Sequence, residues 1–578
     1  MEVKKSEDGT WQLLRAGQPY FIRGVGGEER LKMLAEYGGN SIRTWGVKPE
    51  SRKILDDAQA NGLTVAFGLW LEHERHGALN YENFEQVKKQ MKKTLDDVRA
   101  YKDHPAILVW GLGNEMEIPE TGDNPAVWLH VEHLAREIKK IDPNHPVMTV
   151  IAEMGGNKIE AIHRFCPSVD IIGINSYGGC GSLPARYRAA TEKLAKDGMV
   201  PKPFVVTEYG PIGTWELPKN SIDTVEEEPS TLKAKRYEAA YLAMKDEKKL
   251  NLGSYAFLWG NKQETTATWF GMLLADGKKT AAVDTMSNLW TGKPPANLCP
   301  TIASLKLEGS QSVESGAILK LALDARDPEG KPINVRWSIV SNSEAYGSGG
   351  DFEEASKALE GNLISSDKTK ATFKAPTESG LYRIYAYADD GYGAAVANVP
   401  IRVKGDQMPA GQKATLPFVV FDEPGEQAIF IPSGFMGSAD AIKVDSVNTT
   451  DPAKGKHCMK VTYSKDDEWG GVVWQSPEND WGDKEGGLNL TGAKRLRFKV
   501  RGESGGEKIK FGVGVIGREK DYFDTTKKEI EFTLTSEWQE CEIKLEGEDL
   551  TRIKTAFFWS AAAEGKPFTF YLDEIVFE

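Results

Sequence analysis

The segment Ile107-Leu-Val-Trp-Gly-Leu-Gly-Asn-Glu-Met116 decides the fold, because an apolar run ends there in glycine, asparagine and glutamate. A second segment, Phe204-Val-Val-Thr-Glu-Tyr-Gly210, repeats this pattern further along the chain. Continuous apolar runs of this length are typical of parallel strands that are buried on both faces. Residues at the carboxyl ends of such strands carry the chemistry of many enzymes. We therefore expect Glu115 and Glu208 to follow two strands of one parallel sheet.

Working outward from these segments, short apolar runs alternate with amphipathic stretches through the first half of the chain. This alternation predicts repeated strand–helix units. Eight predicted strands within about 290 residues fit a (β/α)₈ TIM barrel. A doubly wound sheet is the alternative, but no G-x-G-x-x-G segment follows the first predicted strand. The eight strands are predicted at Tyr20–Gly24, Ser41–Trp45, Thr64–Leu69, Ile107–Gly111, Val147–Ile151, Ile171–Ile174, Phe204–Thr207 and Tyr255–Leu258.

The remainder of the chain alternates with the period of strands and has almost no helical pattern. A proline-rich stretch from Gly292 to Pro300 closes the barrel region, and a polar linker over 404–413 divides the second half of the chain into two segments. We predict an Ig-like β-sandwich that acts as a spacer, and then a larger β-jelly-roll. The predicted domains are 1–297 for the catalytic barrel, 298–405 for the Ig-like β-sandwich and 414–578 for the β-jelly-roll.

Composition excludes several classes of function. The chain has 578 residues and a formal net charge of −13, whereas nucleic acids and anionic membranes attract clustered Lys and Arg. No apolar run reaches the ~18 residues of a membrane span. Neither H-E-x-x-H nor a paired C-x-x-C occurs, so we predict no metal and no cofactor. The polar start, Met1–Thr10, lacks a signal-peptide core, so we expect either a cytoplasmic protein or one whose leader has been removed.

Two glutamates that face each other across a barrel mouth suit the hydrolysis of a glycosidic bond. One carboxylic acid protonates the leaving oxygen, while the other carboxylate attacks the anomeric carbon. Retention of configuration requires the two carboxyl groups to lie about 5–5.5 Å apart. The acid needs a raised pKa to stay protonated near neutral pH, and the nucleophile must stay ionised. Glu115 and Glu208 are the candidates for this pair.

The motifs around both glutamates resemble the signatures of clan A glycoside hydrolases, on Gly113-Asn-Glu115 and Thr207-Glu-Tyr-Gly210. The resemblance implies that Glu115 is the acid/base and Glu208 the nucleophile. The segment Gly39-Asn-Ser-Ile-Arg-Thr-Trp45, with Phe21-Ile-Arg-Gly24, is similar to the opening strands of the family 2 catalytic barrel. The segment Asn175-Ser-Tyr-Gly-Gly-Cys-Gly181 resembles the family 72 β-1,3-glucanosyltransferases.

The same resemblance implies roles for four further residues. Arg43 looks like the arginine that keeps the nucleophile ionised, although a structural barrel arginine is an equal alternative. Asn114 looks like the residue that binds the sugar 2-hydroxyl, and Tyr177 like the tyrosine that hydrogen-bonds the nucleophile. Trp259 looks like the aromatic floor beneath the sugar.

The last strand-like segment, Phe568–Phe577, resembles the closing strand of jelly-roll carbohydrate-binding modules. Asp573 within it could belong to a structural Ca²⁺ site, but a single Asp does not establish one. Trp469, Trp474 and Trp481 could form a platform on which a sugar stacks, or could equally be core residues.

These patterns predict a retaining β-glycoside hydrolase with a covalent glycosyl-enzyme intermediate. The predicted substrate and partner is a β-linked polysaccharide or oligosaccharide, a β-glucan with β-1,3 linkages favoured. A transglycosylase that uses the same glutamate pair is one alternative, and a non-catalytic carbohydrate-binding protein is the other. Function alone suggests an extracellular or periplasmic location. The sequence predicts no nucleic-acid partner and no membrane span, and it leaves the oligomeric state open.

Overall fold

The computed structural model describes residues 1–74, 79–117, 124–342, 353–404, 410–424, 428–465, 468–517, 520–562 and 566–578. Eight strands of the first half close into a parallel barrel, and antiparallel sheets come after it. The predicted fold, a TIM barrel followed by β-sandwiches, is confirmed, while the predicted domain boundaries stay predictions. Residues 405–409 of the predicted linker lie outside the described residues.

A small antiparallel sheet precedes the barrel and was not predicted. Its strands are β1 (Glu2–Lys5), β2 (Trp11–Arg15) and β3 (Gln18–Pro19). Leu13 of this sheet packs into a cluster with residues from the beginnings of the barrel strands, such as Leu108. The sheet therefore covers the amino-terminal end of the barrel. Strands of two to five residues are too short to give a recognisable alternation in the sequence.

The barrel strands are arranged in chain order around the closed sheet, and the last strand pairs with the first. The eighth strand begins at Asn251 and not at the predicted Tyr255. Its polar first residue hides this start in the sequence, whereas in the structure Asn251 is buried and hydrogen-bonds the Met244 carbonyl. The strands are β4 (Ile22–Gly26), β5 (Ser41–Arg43), β6 (Thr64–Leu69), β7 (Ile107–Leu112), β8 (Val147–Ala152), β9 (Ile171–Asn175), β10 (Phe204–Tyr209) and β11 (Asn251–Ala256).

Helices connect the barrel strands and pack their apolar faces onto the sheet. Asn83 caps the third helix by accepting a hydrogen bond from the Gln86 N–H, and Asn124 caps the fourth by accepting one from the Ala126 N–H. Among the described residues, no helix has the length and apolar character needed to span a membrane. The helices are α1 (Leu31–Glu36), α2 (Ser51–Ala60), α3 (Phe84–Tyr101), α4 (Pro125–Ile141), α5 (Lys158–Phe165), α6 (Leu183–Lys196), α7 (Ser230–Lys245) and α8 (Ala281–Thr291).

Two four-stranded sheets form the first sandwich, in the orders β12-β14-β17-β16 and β13-β19-β18-β15. Alternate residues of both sheets face a shared core that includes Trp337, Phe373 and Ile384. The strands are β12 (Thr301–Leu307), β13 (Ser312–Glu314), β14 (Ile318–Arg326), β15 (Asn334–Ser341), β16 (Leu363–Ser366), β17 (Lys370–Lys374), β18 (Gly380–Asp389) and β19 (Ala394–Lys404).

The second sandwich packs the sheet β23-β24-β32-β27-β30 against the sheet β22-β25-β31-β28-β29. β21 pairs with β32, and β20 pairs with β26. The strands are β20 (Gln412–Lys413), β21 (Phe418–Phe421), β22 (Ile431–Gly437), β23 (Ile442–Asn448), β24 (Cys458–Tyr463), β25 (Trp469–Gln475), β26 (Leu488–Asn489), β27 (Arg495–Gly502), β28 (Lys508–Val513), β29 (Lys528–Thr533), β30 (Gln539–Lys544), β31 (Thr555–Ala562) and β32 (Phe568–Phe577).

The three tryptophans predicted as a possible platform, Trp469, Trp474 and Trp481, do not share one exposed surface. Trp474 is a core residue with 1% of its surface exposed, whereas Trp469 is 54% exposed. Asp573 is fully buried and accepts hydrogen bonds from the N–H groups of Lys454 and Glu574. All five cysteines of the chain are buried and free.

Candidate active site

Arg43 joins three strand ends at the carboxyl-terminal mouth of the barrel. It is the last residue of β5, and only 3% of its surface is exposed. Its Nη1 donates to Oε1 of Glu208 at 2.7 Å and to the Thr207 carbonyl at 3.3 Å. Its Nη2 donates to Oδ1 of Asn114 at 2.5 Å. The second, fourth and seventh barrel strands therefore meet at one guanidinium group.

Glu208 lies in β10 and is 6% exposed. Besides Arg43, its Oε1 accepts a hydrogen bond from Nε1 of Trp45 at 2.9 Å. Its Oε2 accepts one from the hydroxyl of Tyr177 at 2.7 Å. Burial and the Glu208 anion raise the pKa of Tyr177 well above its ordinary value, so this hydroxyl keeps its proton. One cation and two neutral donors therefore hydrogen-bond the two oxygens of the Glu208 carboxyl group.

Glu115 follows β7 and has a left-handed backbone, with φ of 53°. Gly113 before it has φ of 72°, and the Glu115 N–H donates to the Val150 carbonyl at 2.8 Å. This turn directs the side chain toward β9, where its Oε1 accepts a hydrogen bond from Nδ2 of Asn175 at 2.7 Å. Burial, followed by the charge of Glu208, raises the pKa of Glu115 to about 7. Glu115 can therefore hold a proton near neutral pH.

Asn175 completes a continuous hydrogen-bond network between the two carboxyl groups. Its Nδ2 also donates to Oδ1 of Asn114 at 3.2 Å, and its Oδ1 accepts from Oγ1 of Thr207 at 2.7 Å. The network therefore runs from Glu208 through Arg43, Asn114 and Asn175 to Glu115. Oδ1 of Asn114 already accepts hydrogen bonds from Arg43 and Asn175. Asn114 can therefore bind a ligand through the N–H groups of its amide.

Of the predicted site residues, Arg43, Asn114, Glu115, Tyr177 and Glu208 lie together in this network. Trp259 does not share it. Its ring is 1% exposed and belongs to the barrel core, and its Nε1 donates to the Glu29 carbonyl at 2.7 Å. The ring is therefore not an open stacking surface in this structure, and a role in substrate binding stays a prediction.

Trp45 and Asn175 were not predicted as site residues, although both have signals in the sequence. Trp45 stands two positions after Arg43, so the period of a strand directs both side chains to the same face. Gly68 leaves room for the backbone of Thr44 and Trp45, which passes close to it. A Cβ there would lie 2.3 Å from the Thr44 carbonyl oxygen and 2.4 Å from the carbonyl carbon of Trp45. Asn175 is the last residue of β9, a position that carries chemistry in barrels.

An aromatic wall stands beside Glu208, formed by Tyr177, Trp215, Phe257 and Phe270. The ring of Tyr177 lies 5.5 Å from that of Trp215 and 5.2 Å from that of Phe270. Trp215 lies on a single 3₁₀ turn, Thr214–Glu216, and is 56% exposed. The exposed ring of Trp215 therefore contacts Tyr177, and the hydroxyl of Tyr177 in turn contacts Glu208, the nucleophile candidate.

Other carboxyl groups near the mouth have structural partners. Burial alone would raise the pKa of Glu153, but hydrogen bonds from Arg186 and Ser176 outweigh it and hold the pKa below its ordinary value. Glu117 lies 3.1 Å from Nζ of Lys158. Within the ranges that the structure describes, no group of three or more His, Cys, Asp or Glu residues is arranged to hold a metal ion.

Comparison with known proteins finds similarity to carbohydrate enzymes over part of the chain. Residues 31–244 match the model of the glycosyl hydrolases family 2, TIM barrel domain. The β-glucuronidase of Rattus norvegicus is 25% identical over 256 residues, which cover 39% of this chain and 35% of the relative. A β-glucuronidase of Bacteroides fragilis is 28% identical over 138 residues, which cover 22% of this chain and 18% of the relative.

The solved structure of a Bacteroides uniformis β-glucuronidase aligns with 99% of this chain and 67% of its own, at 12% identity and a TM-score of 0.40. The chain spans about a third of the length of the curated relatives it matches, as the shares of 35% and 37% show.

Proposed function

We propose that this protein is a retaining β-glycoside hydrolase in which Glu115 is the acid/base and Glu208 the nucleophile. The observation that carries the proposal is the opposite environment of the two carboxyl groups within one network. Three donors stabilise the charge on Glu208, while burial and that charge raise the pKa of Glu115 to about 7. The match of residues 31–244 to a family 2 barrel domain supports the same reaction class.

In the first step, Glu115 gives its proton to the glycosidic oxygen as the C–O bond breaks. A carboxylate oxygen of Glu208 attacks the anomeric carbon, and a covalent glycosyl ester forms. Esterification removes the negative charge of Glu208, which had helped to raise the pKa of Glu115. The pKa of Glu115 then falls, so its carboxylate can take a proton from an incoming water molecule. Attack by that water releases the sugar and restores Glu208.

Asn114 and the aromatic wall supply the binding contacts in this proposal. The amide N–H of Asn114 donates to the sugar 2-hydroxyl, a hydrogen bond that strengthens as the anomeric carbon gains positive charge. Trp215 stacks its exposed face against a pyranose ring, because the flat indole matches the apolar C–H face of a sugar.

For the substrate we propose a β-linked oligosaccharide or polysaccharide. The sequence pattern favours a β-glucan with β-1,3 linkages, whereas the curated relatives are named β-glucuronidases. Both classes therefore belong in the substrate panel. We also propose an extracellular or periplasmic location, because β-linked polysaccharides occur outside the cytoplasm.

The test uses the purified full chain with nitrophenyl β-glycosides, including the glucuronide and glucoside, and with β-1,3-, β-1,4- and β-1,6-glucans, mannan and xylan. Proton NMR of the first product should show the β-anomer. Glu115→Gln and Glu208→Gln should each lower kcat by about 10³-fold or more, because the pair acts as a unit. Glu153→Gln is the matched control and should retain most activity, since its carboxyl group is held by Arg186.

Three outcomes would change the proposal. Turnover that survives Glu208→Gln would remove the nucleophile assignment. Products longer than the donor would show that a sugar hydroxyl replaces water, which is the transglycosylase alternative. Binding of a sugar polymer without turnover by the unmodified chain would support the non-catalytic alternative.

A further inference from the structure

The loop over residues 210–229 comes directly after the strand that carries Glu208, and the first sandwich holds it by buried side chains. Arg383 of β18 is fully buried, and its Nη2 donates to the Val225 carbonyl at 2.8 Å and to Oγ1 of Thr224 at 3.3 Å. Arg402 of β19 donates through Nε and Nη2 to the Ile222 carbonyl at 3.1 and 3.0 Å. Two arginines of one sheet therefore fix the backbone of this loop.

Glu227 near the end of the loop is a second point of attachment, and it is 8% exposed. Its Oε2 accepts a hydrogen bond from Nδ2 of Asn398 at 2.5 Å and another from Oγ1 of Thr266 at 2.6 Å. Its Oε1 accepts one from Oγ1 of Thr268 at 2.7 Å and pairs with Lys233. One carboxylate thus joins the sandwich, the loop after β10 and the loop after β11.

The same attachments lead directly to the aromatic wall. Trp269, next to Thr268, donates from Nε1 to the Ile212 carbonyl at 3.0 Å, which ties the two loops together again. Phe270 comes next and packs its ring 5.2 Å from that of Tyr177, whose hydroxyl contacts Glu208. A displacement of Glu227 would therefore shift the wall and the donor to Oε2 of Glu208.

We propose that the sandwich within residues 298–405 is a positioning element of the candidate site rather than a spacer. Asn398 and Arg383, acting with Glu227, hold Trp215 and the aromatic wall where a sugar ring can bind beside Glu208. A surface loop of this length would otherwise sample several conformations. The sugar as ligand rests on the proposed function, whereas the attachment of the loop rests only on its hydrogen bonds to the sandwich.

Asn398→Ala in the full chain removes the amide that contacts Glu227. Asn362→Ala is the matched control, because that amide also hydrogen-bonds within the same sandwich, to the Lys374 carbonyl rather than to the loop. Asn398→Ala should speed hydrogen exchange over 210–229 and 264–270 without changing exchange in the barrel strands. It should also raise KM roughly three- to tenfold, the size of one lost hydrogen bond, with a smaller effect on kcat. The control should change neither quantity.

A charge exchange keeps the test decisive if truncation harms folding. Asn398→Asp puts a second carboxylate against Glu227 and should loosen the loop further. Adding Glu227→Gln restores one amide and one carboxylate between positions 227 and 398. It should bring both hydrogen exchange and KM only part of the way back to those of the unmodified chain, because Lys233 then has an amide in place of its carboxylate partner. Rescue of both quantities is a result that a merely structural defect would not give.

The proposal is overturned if Asn398→Ala leaves exchange over 210–229 unchanged, or if exchange rises while KM stays the same. Failure of the proposed function gives a different result, namely turnover that does not depend on Glu208. The exchange measurement needs no turnover, so it decides whether the sandwich holds the loop in either case.

Discussion

Nη1 of Arg43 lies 2.7 Å from Oε1 of Glu208, in an interior that leaves 3% and 8% of the two side chains exposed. Each charge has lost most of its hydration, so each depends on the other. The second arm of the guanidinium holds Asn114, which links this ion pair to the network of Glu115. The ion pair therefore joins the nucleophile candidate to the hydrogen-bond network of the acid/base candidate.

We expect Arg43→Met to lower the free energy of unfolding by about 3–5 kcal/mol, because it leaves the Glu208 carboxylate buried without its cation. The double variant Arg43→Met with Glu208→Gln should recover a large part of that loss, since the remaining amide carries no charge. Urea unfolding of the four chains in the cycle measures this. Equal stability of the single Arg43 variant and the double variant would contradict the dependence of each charge on the other.

The pKa of Glu115, raised to about 7, predicts the basic limb of the activity profile. The acid must carry its proton to act on the leaving oxygen, so kcat/KM should fall as the pH rises through about 7. In Glu115→Gln this limb should disappear from the residual activity on a substrate with a good leaving group. A limb that persists at the same pH in the variant would assign it to another residue.

The same shift predicts how stability depends on pH. Glu115 binds its proton more tightly in the folded chain than in the unfolded chain, where its pKa is near 4.5. The folded state therefore loses stability as the pH rises from about 4.5 through about 7, by ~1–3 kcal/mol. Glu115→Gln should remove this loss, so the variant should gain on the unmodified chain between about pH 5 and pH 8 in urea unfolding. If the free energies of unfolding of Glu115→Gln and the unmodified chain differ by the same amount at both ends of this pH range, the raised pKa of Glu115 is contradicted.

Trp45→Phe tests the neutral donor to Oε1 of Glu208. The substitution keeps an aromatic ring beside Phe257 but removes the N–H group. Loss of a hydrogen bond to a charged group costs about 1.5–3 kcal/mol, so kcat/KM should fall roughly 10- to 100-fold. Trp11→Phe is the control, because its N–H donates to the Pro201 carbonyl at the opposite end of the barrel. A similar fall in both variants would indicate a general loss of packing.

Trp215→Ala should raise KM for a short oligosaccharide by roughly tenfold, as expected when a sugar ring loses an aromatic stacking partner worth about 1 kcal/mol or more. Trp215→Phe should recover part of the effect. Stability should change little, since the side chain is 56% exposed. Phe84→Ala provides a control at another exposed aromatic side chain, which is 71% exposed at the beginning of α3. An unchanged KM in Trp215→Ala would exclude the indole from the binding surface.

The barrel could be predicted because its strands are buried on both faces, and continuous apolar runs such as Ile107–Leu112 reveal such burial directly. The predicted positions of Glu115 and Glu208 rested on the ends of those runs. Trp259 shows the limit of this reasoning, because a strand-end position does not tell whether a ring faces the mouth or the core.

The attachment of the loop by the first sandwich could not be predicted from the sequence. Asn398 and Glu227 are 171 positions apart, and their contact leaves no local periodicity. A buried polar side chain can be recognised only when its partner is known, because the isolated residue resembles any surface amide or carboxylate. The sequence therefore predicted a spacer where the structure has a long-range contact.

The left-handed backbone at Glu115 has an evolutionary consequence. Glycine and asparagine adopt φ of 53° more readily than glutamate does, and neither would bring an acid into the barrel mouth. A mutation to either residue would remove both the strain of the left-handed backbone and the cost of burying the carboxyl group. If the proposed turnover were no longer selected for, descendants of this gene should lose this side chain early and keep a more stable fold. Inactive relatives with an intact barrel are the expected trace of that drift.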